Sequence, residues 1–162
     1  MESDIATLAG SENLNLTDHF TVEELTRSEY ALRRGIDNTP DAEVTANLQV
    51  LAQGLERART ALGAPIVISS GYRSAKVNAA IGGAVGSFHQ KGLAADFKVP
   101  GMSVLDACKK LEAAKDHIRY DKLIYEFGAW VHLQFADVDE SPRMAEYTIK
   151  NAKEGYLSGV LA

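Results

Sequence analysis

The chain has 162 residues, of which 46% are hydrophobic and 24% are charged, as is typical of one globular domain with its own core. A net charge of -5 excludes a large basic surface for nucleic-acid phosphates. The single cysteine, Cys108, excludes an internal disulfide framework and a cysteine-rich zinc module. Uncharged stretches are too short to span a membrane, so we expect no membrane insertion and take a monomer as the default.

The N-terminal residues 1–15 are polar and aperiodic, which predicts a loose lead-in before a single domain over residues 16–162. The first residues are acidic and lack a basic region followed by an apolar one, so we expect no ordinary secretion signal. Thr21 and Glu24 form the pattern of a capping box, which predicts a short helix through Arg27.

A long amphipathic helix is predicted next, with Thr39 as its N-cap and Pro40 at its first position. Its apolar residues recur at steps of three and four as far as Leu62, and Gly63 is the expected C-cap. The β-branched segment 66–69 follows and predicts a short strand that is buried on both faces.

The second half of the chain alternates short strands with helices. Helices are predicted around residues 76–80 and after the cap Ser103, the second carrying Cys108 as a buried, inert thiol. Strands are predicted at residues 93–99, 123–126, 130–135 and 145–150, the second and third being joined as a hairpin. Together these elements indicate an α+β fold with a mainly antiparallel sheet and flanking helices.

The stretch from Ser87 to Asp96 contains the imidazole of His89 and a carboxylate, separated by Gly92, which lets the chain turn. Asp96 lies among apolar residues of a predicted strand, where a carboxylate is costly to bury unless it is paired or binds a metal. Taken alone, this pair is more often a surface-loop histidine and a strand-end aspartate.

A second block places Glu126 and His132 on the two strands of the predicted hairpin. A turn centred near Ala129 would set Glu126 opposite His132. With His89 and Asp96, this block provides the three protein ligands and the nearby base of a catalytic zinc site. A metal-free Glu–His cross-strand pair is the alternative, but it leaves His89 and Asp96 unexplained.

The pattern Ser-x-His-x-x-Gly-x-Ala-x-Asp, followed by Glu and then Trp-x-His, resembles the signature of the zinc DD-peptidase family. Members of that family share the hedgehog/DD-peptidase fold and include D-Ala-D-Ala carboxypeptidases and L-Ala-D-Glu endopeptidases that cut peptidoglycan peptides. The matching positions are Ser87, His89, Gly92, Ala94, Asp96, Trp130 and His132. Residues 16–20 and 70–74 resemble the domain version found in phage endolysins, so the resemblance covers about residues 16–160.

The resemblance implies one Zn²⁺ per chain, held by His89, Asp96 and His132, and a metal-assisted hydrolysis of amide bonds. Glu126 is the implied general base, which passes a proton from the attacking water to the leaving amine. Arg73 is expected to hold a substrate carboxylate or stabilise the oxyanion, with a solvated turn arginine as the alternative.

Four further residues are expected around this site, in substrate binding or in support of the metal ligands: Ser87, Tyr72, Trp130 and Gln134. Ser87 is alternatively a loop cap, and Tyr72 and Trp130 are alternatively core residues. Some family members carry the catalytic acid three residues before the last histidine, where this chain has Ala129. The spacing of Glu126 from that histidine also resembles the zinc site of hedgehog signalling domains.

The sequence therefore predicts a zinc peptidase that acts on peptidoglycan peptides, most simply a phage or prophage endolysin. Such an enzyme would be made in the host cytoplasm and act in the periplasm or cell wall after release through a holin lesion. Two alternatives are a non-catalytic zinc-binding module like that of hedgehog proteins and a virion-associated lysin domain. The peptide bond that is cut stays open at this point.

Overall fold

The computed structural model describes residues 14–162, so residues 1–13 of the predicted lead-in lie outside the described residues. The helices are α1 (Val22–Thr26), α2 (Glu29–Arg34), α3 (Ala42–Leu62), α4 (Ala75–Ala80), α5 (Phe88–Lys91), α6 (Val104–Ala113) and α7 (Lys115–Ile118). The strands are β1 (Val67–Ser70), β2 (Ala94–Lys98), β3 (Lys122–Glu126), β4 (Trp130–Gln134), β5 (Ala145–Ile149) and β6 (Tyr156–Ser158). This content confirms the predicted α+β class.

In the described part of the chain the strands form one six-stranded sheet with the order β1-β2-β4-β3-β5-β6. Neighbouring strands are antiparallel except for β3 and β5, which are parallel. The prediction of a mainly antiparallel sheet is therefore confirmed. The parallel pair is possible because the chain passes from β4 through the segment 135–144 before it enters β5.

Side-chain caps decide where the helices begin. The Thr21 hydroxyl accepts from the Glu24 N–H, and the Ser103 hydroxyl accepts from the backbone N–H three residues on, both as predicted. The prediction of Thr39 as the N-cap of the long helix is wrong. Asp41 takes that place because its Oδ1 accepts from the Val44 N–H at 2.8 Å, which leaves Pro40 outside the helix.

The strand predicted at residues 66–69 is also corrected by the structure. It was expected to be buried on both faces, but β1 lies at the edge of the sheet and pairs only with β2. Val67 is consequently 54% exposed, whereas Ile66, just before the strand, is buried. A short β-branched run has the same composition at an edge as at the centre of a sheet, so its position could not be predicted from composition.

The hairpin of β3 and β4 has a different register from the predicted one. Its three-residue turn, 127–129, pairs Glu126 with Trp130 and Ile124 with His132. The prediction that Glu126 faces His132 directly is therefore wrong. Glu126 and His132 still lie on the same face of the sheet, as diagonal neighbours, because residues two apart on a strand point the same way.

The core lies between one face of the sheet and the helices α3 and α6. Leu51 and Leu55 of α3 are completely buried, as are Val131 and Leu133 of β4. Each such side chain contributes roughly 1.5–3 kcal/mol by leaving water. Cys108 of α6 belongs to this core, and burial raises its pKa to about 12, so the thiol is protonated as expected of an inert cysteine.

The alternate residues of β4, His132 and Gln134, point to the opposite face of the sheet. That face carries the polar residues described below. Within residues 14–162, no helix has the length and apolar character needed to cross a membrane.

Candidate metal centre

Three predicted ligands converge on the polar face of the sheet. Asp96 on β2 and His132 on β4 are direct cross-strand partners, and His89 reaches them from α5. His132 Nδ1 lies 3.0 Å from Asp96 Oδ1, and His89 Nε2 lies 3.4 Å from Asp96 Oδ2. All three residues are buried, and one ligand atom from each lies within 4.8 Å of the others. The structure therefore brings together the residues that the sequence separated.

The backbone around His89 fixes the position of its ring. The carbonyl of Gly71 accepts from His89 Nδ1 at 2.8 Å, and the Arg73 N–H donates to the His89 carbonyl at 3.0 Å. Gly71 itself packs so closely on α1 that a Cβ would overlap the Leu25 carbonyl. Ser87 is the N-cap of α5, with its hydroxyl accepting from the His89 N–H at 3.2 Å.

Gly92 ends α5 and turns the chain into β2. Its φ of +77° lies in the left-handed region, and a Cβ there would also meet the Val44 side chain. Both constraints favour glycine at this position. The turn therefore allows the short helix to carry His89 while the next strand carries Asp96, as the sequence pattern indicated.

His132 has a hydrogen-bond partner on the side away from Asp96. Its Nε2 lies 2.8 Å from Gln134 Oε1. With the Gly71 carbonyl behind His89, this bond leaves His89 Nε2 and His132 Nδ1 directed at the carboxylate. Two imidazoles, each anchored through its other nitrogen, and one carboxylate are a donor set that suits zinc and leaves a coordination position open.

The charges of the cluster also suit a cation. Burial lowers the pKa of His89 and so favours the neutral imidazole that a metal requires. Burial opposes the charge on Asp96, but the two imidazoles outweigh it and hold the pKa of that carboxyl well below its usual range. Burial also opposes a charge on His132, but the hydrogen bonds that the protonated ring donates to Asp96 and Gln134 outweigh it and raise its pKa. A metal at this site would displace that proton.

An open cleft of about 710 Å³ lies over the three ligands. Glu126, Trp130, Gln134 and Arg73 line it, together with the loop 81–88. Burial, with Asp96 nearby, raises the pKa of Glu126. A carboxylate with a raised pKa beside a set of candidate metal ligands is suited to accept and return a proton.

Two buried N–H groups in the cleft residues lack well-aligned acceptors. Arg73 Nε has no hydrogen-bond partner within residues 14–162, and Trp130 Nε1 forms no well-aligned hydrogen bond there, although it interacts with the Glu126 carboxylate and favours its ionised form. A buried donor without a partner costs about 1–3 kcal/mol, so proteins seldom keep one without a use for it. Because neither nitrogen is exposed, a bound molecule with acceptor oxygens would provide the missing partners only after the side chains around them move.

Tyr72 is not part of this cleft. It is buried in the core and lines a neighbouring cavity, which meets the metal cleft at Arg73. Two cleft residues were not predicted: Lys122, whose Nζ lies over the rings of Tyr147 and Tyr156, and Arg143. Lys122 is the first residue of β3, and Arg143 lies in the loop before β5. In the sequence, a basic residue at such a position cannot be told from an ordinary surface charge.

Residues 18–134 match the model of a protein family described as Peptidase M15. The matched segment includes the three clustered ligands, Glu126 and Arg73, and it covers more than half of the chain. No curated protein matches the chain.

Proposed function

The chain belongs to the M15 peptidases, a family of zinc metallopeptidases, and we propose that it hydrolyses amide bonds in the stem peptides of peptidoglycan. The observation that carries this proposal is the arrangement of the cleft. Its floor is the buried cluster His89, Asp96 and His132, and its wall carries the carboxylate of Glu126. The cleft thus offers a ligand set for zinc, a base and space for a peptide.

His89, Asp96 and His132 would hold the zinc ion, which when bound supplies a Lewis acid for the scissile carbonyl and lowers the pKa of water. Glu126 is the proposed general base, because it is the cleft carboxylate that lies beside the cluster without belonging to it. Its raised pKa favours both accepting the proton of the attacking water and returning it to the leaving amine.

Arg73 is proposed to bind the substrate. Its backbone is fixed against His89, and its Nε has no acceptor within the described residues, so the guanidinium is available to an anionic group. A substrate carboxylate or a developing oxyanion fits this role. The indole N–H of Trp130 would donate to the peptide from the adjacent wall.

The cellular role that we propose is that of a phage or prophage endolysin. Support comes from residues 16–20 and 70–74, which resemble the endolysin version of the domain. The protein would be made in the host cytoplasm, reach the wall after holin release and act there as a monomer on D-Ala-D-Ala or L-Ala-D-Glu bonds. The alternative is a non-catalytic zinc module, which would bind zinc at the same three residues and leave muropeptides intact.

The test is digestion of defined muropeptides by the zinc-loaded protein, followed by mass spectrometry of the products. Release of a terminal alanine would indicate a carboxypeptidase, and separation of the stem after its first residue an endopeptidase. The Glu126→Gln protein serves as the control, because it should contain zinc and release neither product. Intact muropeptides after incubation with the zinc-loaded wild type would contradict the proposal.

A further inference from the structure

A series of hydrogen-bonded polar side chains continues from His132 on the side away from Asp96. Gln134 Oε1 lies 2.8 Å from His132 Nε2, and Gln134 Nε2 donates to Asp121 Oδ2 at 3.0 Å. Asp121 is only 3% exposed. Arg143 covers it from the outside, with its backbone N–H and Nε donating to Oδ1 and its Nη2 donating to Oδ2 at 2.6 Å.

The direction of the hydrogen bonds in this series is determined by Asp121. An ionised carboxylate can only accept hydrogen bonds, so the Gln134 amide must turn its NH₂ group toward Asp121 and its oxygen toward His132. That oxygen requires a hydrogen on His132 Nε2. The lone pair available to a metal is therefore on Nδ1, the nitrogen that faces Asp96.

We propose that Asp121, acting through Gln134, is a positioning residue that sets the His132 ring with Nε2 protonated and Nδ1 free to bind zinc. The two metal-binding histidines would then use different nitrogens, Nε2 in His89 and Nδ1 in His132. This inference concerns zinc binding by the M15 site and does not depend on which peptide bond the enzyme cuts.

The surroundings of Asp121 suit this role. Burial by itself would raise the pKa of Asp121, but the hydrogen bonds from Arg143 and Gln134 outweigh it and hold the pKa at about 2. Near neutral pH the carboxylate is therefore ionised and can only accept hydrogen bonds. Arg143 balances the buried charge, although 55% of its own side chain is exposed.

A purely structural role is the competing explanation, because the Asp121–Arg143 pair also ties the segment between β4 and β5 to the start of β3. The two explanations differ in which variants should affect the metal. Loss of Gln134 breaks the connection to His132 but leaves the ion pair intact. In zinc-binding measurements at pH 8, loss of Arg143 breaks the ion pair but should leave Asp121 ionised, so that it still accepts from Gln134.

The experiment measures zinc dissociation constants by chelator competition for the wild type, Q134L, D121N and R143Q. Outer partners of metal-binding histidines are worth about 10–100-fold in affinity, so we expect losses of that size in Q134L and D121N. R143Q should bind zinc within about threefold of the wild type, as expected for a group that does not orient the ring. Unchanged affinity in Q134L, or an equal loss in R143Q and D121N, would overturn the proposal.

Nitrogen-15 NMR of the zinc-loaded wild type gives a second readout that needs no variant. The His132 ring should show a proton on Nε2 and the metal on Nδ1, and Q134L should shift the Nε2 signal. A zinc-bound Nε2 in the wild type would overturn the proposal, even if D121N failed to fold.

Discussion

The two sides of the cleft differ in how completely their polar groups are paired. On the metal side, the ring nitrogens of His89 and His132 each have a partner, and Asp96 contacts both rings. On the side that we propose to bind the substrate, called the substrate side below, Arg73 Nε and Trp130 Nε1 are buried and form no well-aligned hydrogen bond in the described chain. The metal ligands are therefore held in place before any ligand binds, and under the proposed function the donors on the other side would find their partners in the substrate.

Removal of a metal ligand should have the largest effect on activity, because it should abolish zinc binding. In Asp96→Ala we expect zinc binding to be lost, and with it the several kcal/mol that a metal contributes, which corresponds to at least about 10³-fold in kcat/KM. Zinc content by mass spectrometry and muropeptide turnover measure the two effects. The exposed Asp139→Ala is the matched control and should retain both. A D96A protein that still holds one zinc ion per chain would show that the ligand set is wrong.

Glu126→Gln should impair catalysis and leave zinc binding unchanged. The amide keeps the shape of the side chain but cannot accept the proton, so kcat should fall by about 10²–10⁴-fold while zinc content stays at the wild-type level. Steady-state kinetics on a muropeptide, with zinc analysis of the same sample, test this prediction. Glu140→Gln, in an exposed loop, is the control and should be fully active. If E126Q turned over at the wild-type rate, another group would have to be the base.

Arg73→Gln should lower the efficiency of turnover without affecting zinc binding. Loss of a charged donor aimed at substrate or oxyanion should lower kcat/KM by about 10²-fold, with zinc affinity unchanged. Arg33→Gln on the exposed part of α2 is the matched control. Kinetics on peptides with a free and an amidated terminal carboxylate would show which group Arg73 binds. Equal losses on both peptides indicate the oxyanion, and no loss on either would remove Arg73 from the site.

The support behind the metal side should depend on pH. Because Asp121 has a pKa of about 2, below its ordinary value of 3.8, its ionised form adds stability above about pH 4, and this stability is lost as the pH falls through about 2. At pH 7, zinc-free D121N should be less stable than the wild type by roughly 1–2 kcal/mol. Urea unfolding at several pH values checks this, and a gap that stays constant down to pH 2 would count against it.

Trp130→Phe should have the smallest effect of these variants, and it tests whether the indole N–H takes part in substrate binding. Phenylalanine keeps the ring against Phe127 but lacks the N–H. Since that N–H forms no well-aligned hydrogen bond in the described protein, its loss should lower stability by less than about 1 kcal/mol. A single hydrogen bond to substrate is worth about 1 kcal/mol, so kcat/KM should fall roughly fivefold. Unchanged kinetics together with a lower melting temperature would mean that Trp130 serves the core.

Much of the metal side could be predicted from the sequence because its chemistry is uncommon. An aspartate among apolar strand residues is costly to bury unless it is paired or binds a metal, and the second block with Glu126 and His132 favoured the metal. The family resemblance, now supported by the match over residues 18–134, added the fold. The distances between site residues were harder to predict, because the register of the hairpin depends on its turn. Glu126 was expected opposite His132 but pairs with Trp130, two residues earlier.

Residues that act through long-range contacts could not be predicted. In the sequence, Asp121 is an ordinary polar residue before a predicted strand. Only the folded sheet shows that its carboxylate accepts a hydrogen bond from Gln134. The carbonyl of Gly71 acts on His89 through its backbone, which carries no side-chain signal. The edge position of β1 could likewise not be predicted, because it depends on how all the other strands pair.

The most direct test of the account is a crystal structure of the zinc-loaded protein with anomalous data at the zinc absorption edge. We predict one anomalous peak per chain, bonded to His89 Nε2, an Asp96 carboxylate oxygen and His132 Nδ1, with Glu126 beside it and not bonded to it. A peak held by other residues, or no peak at these three, would contradict the account.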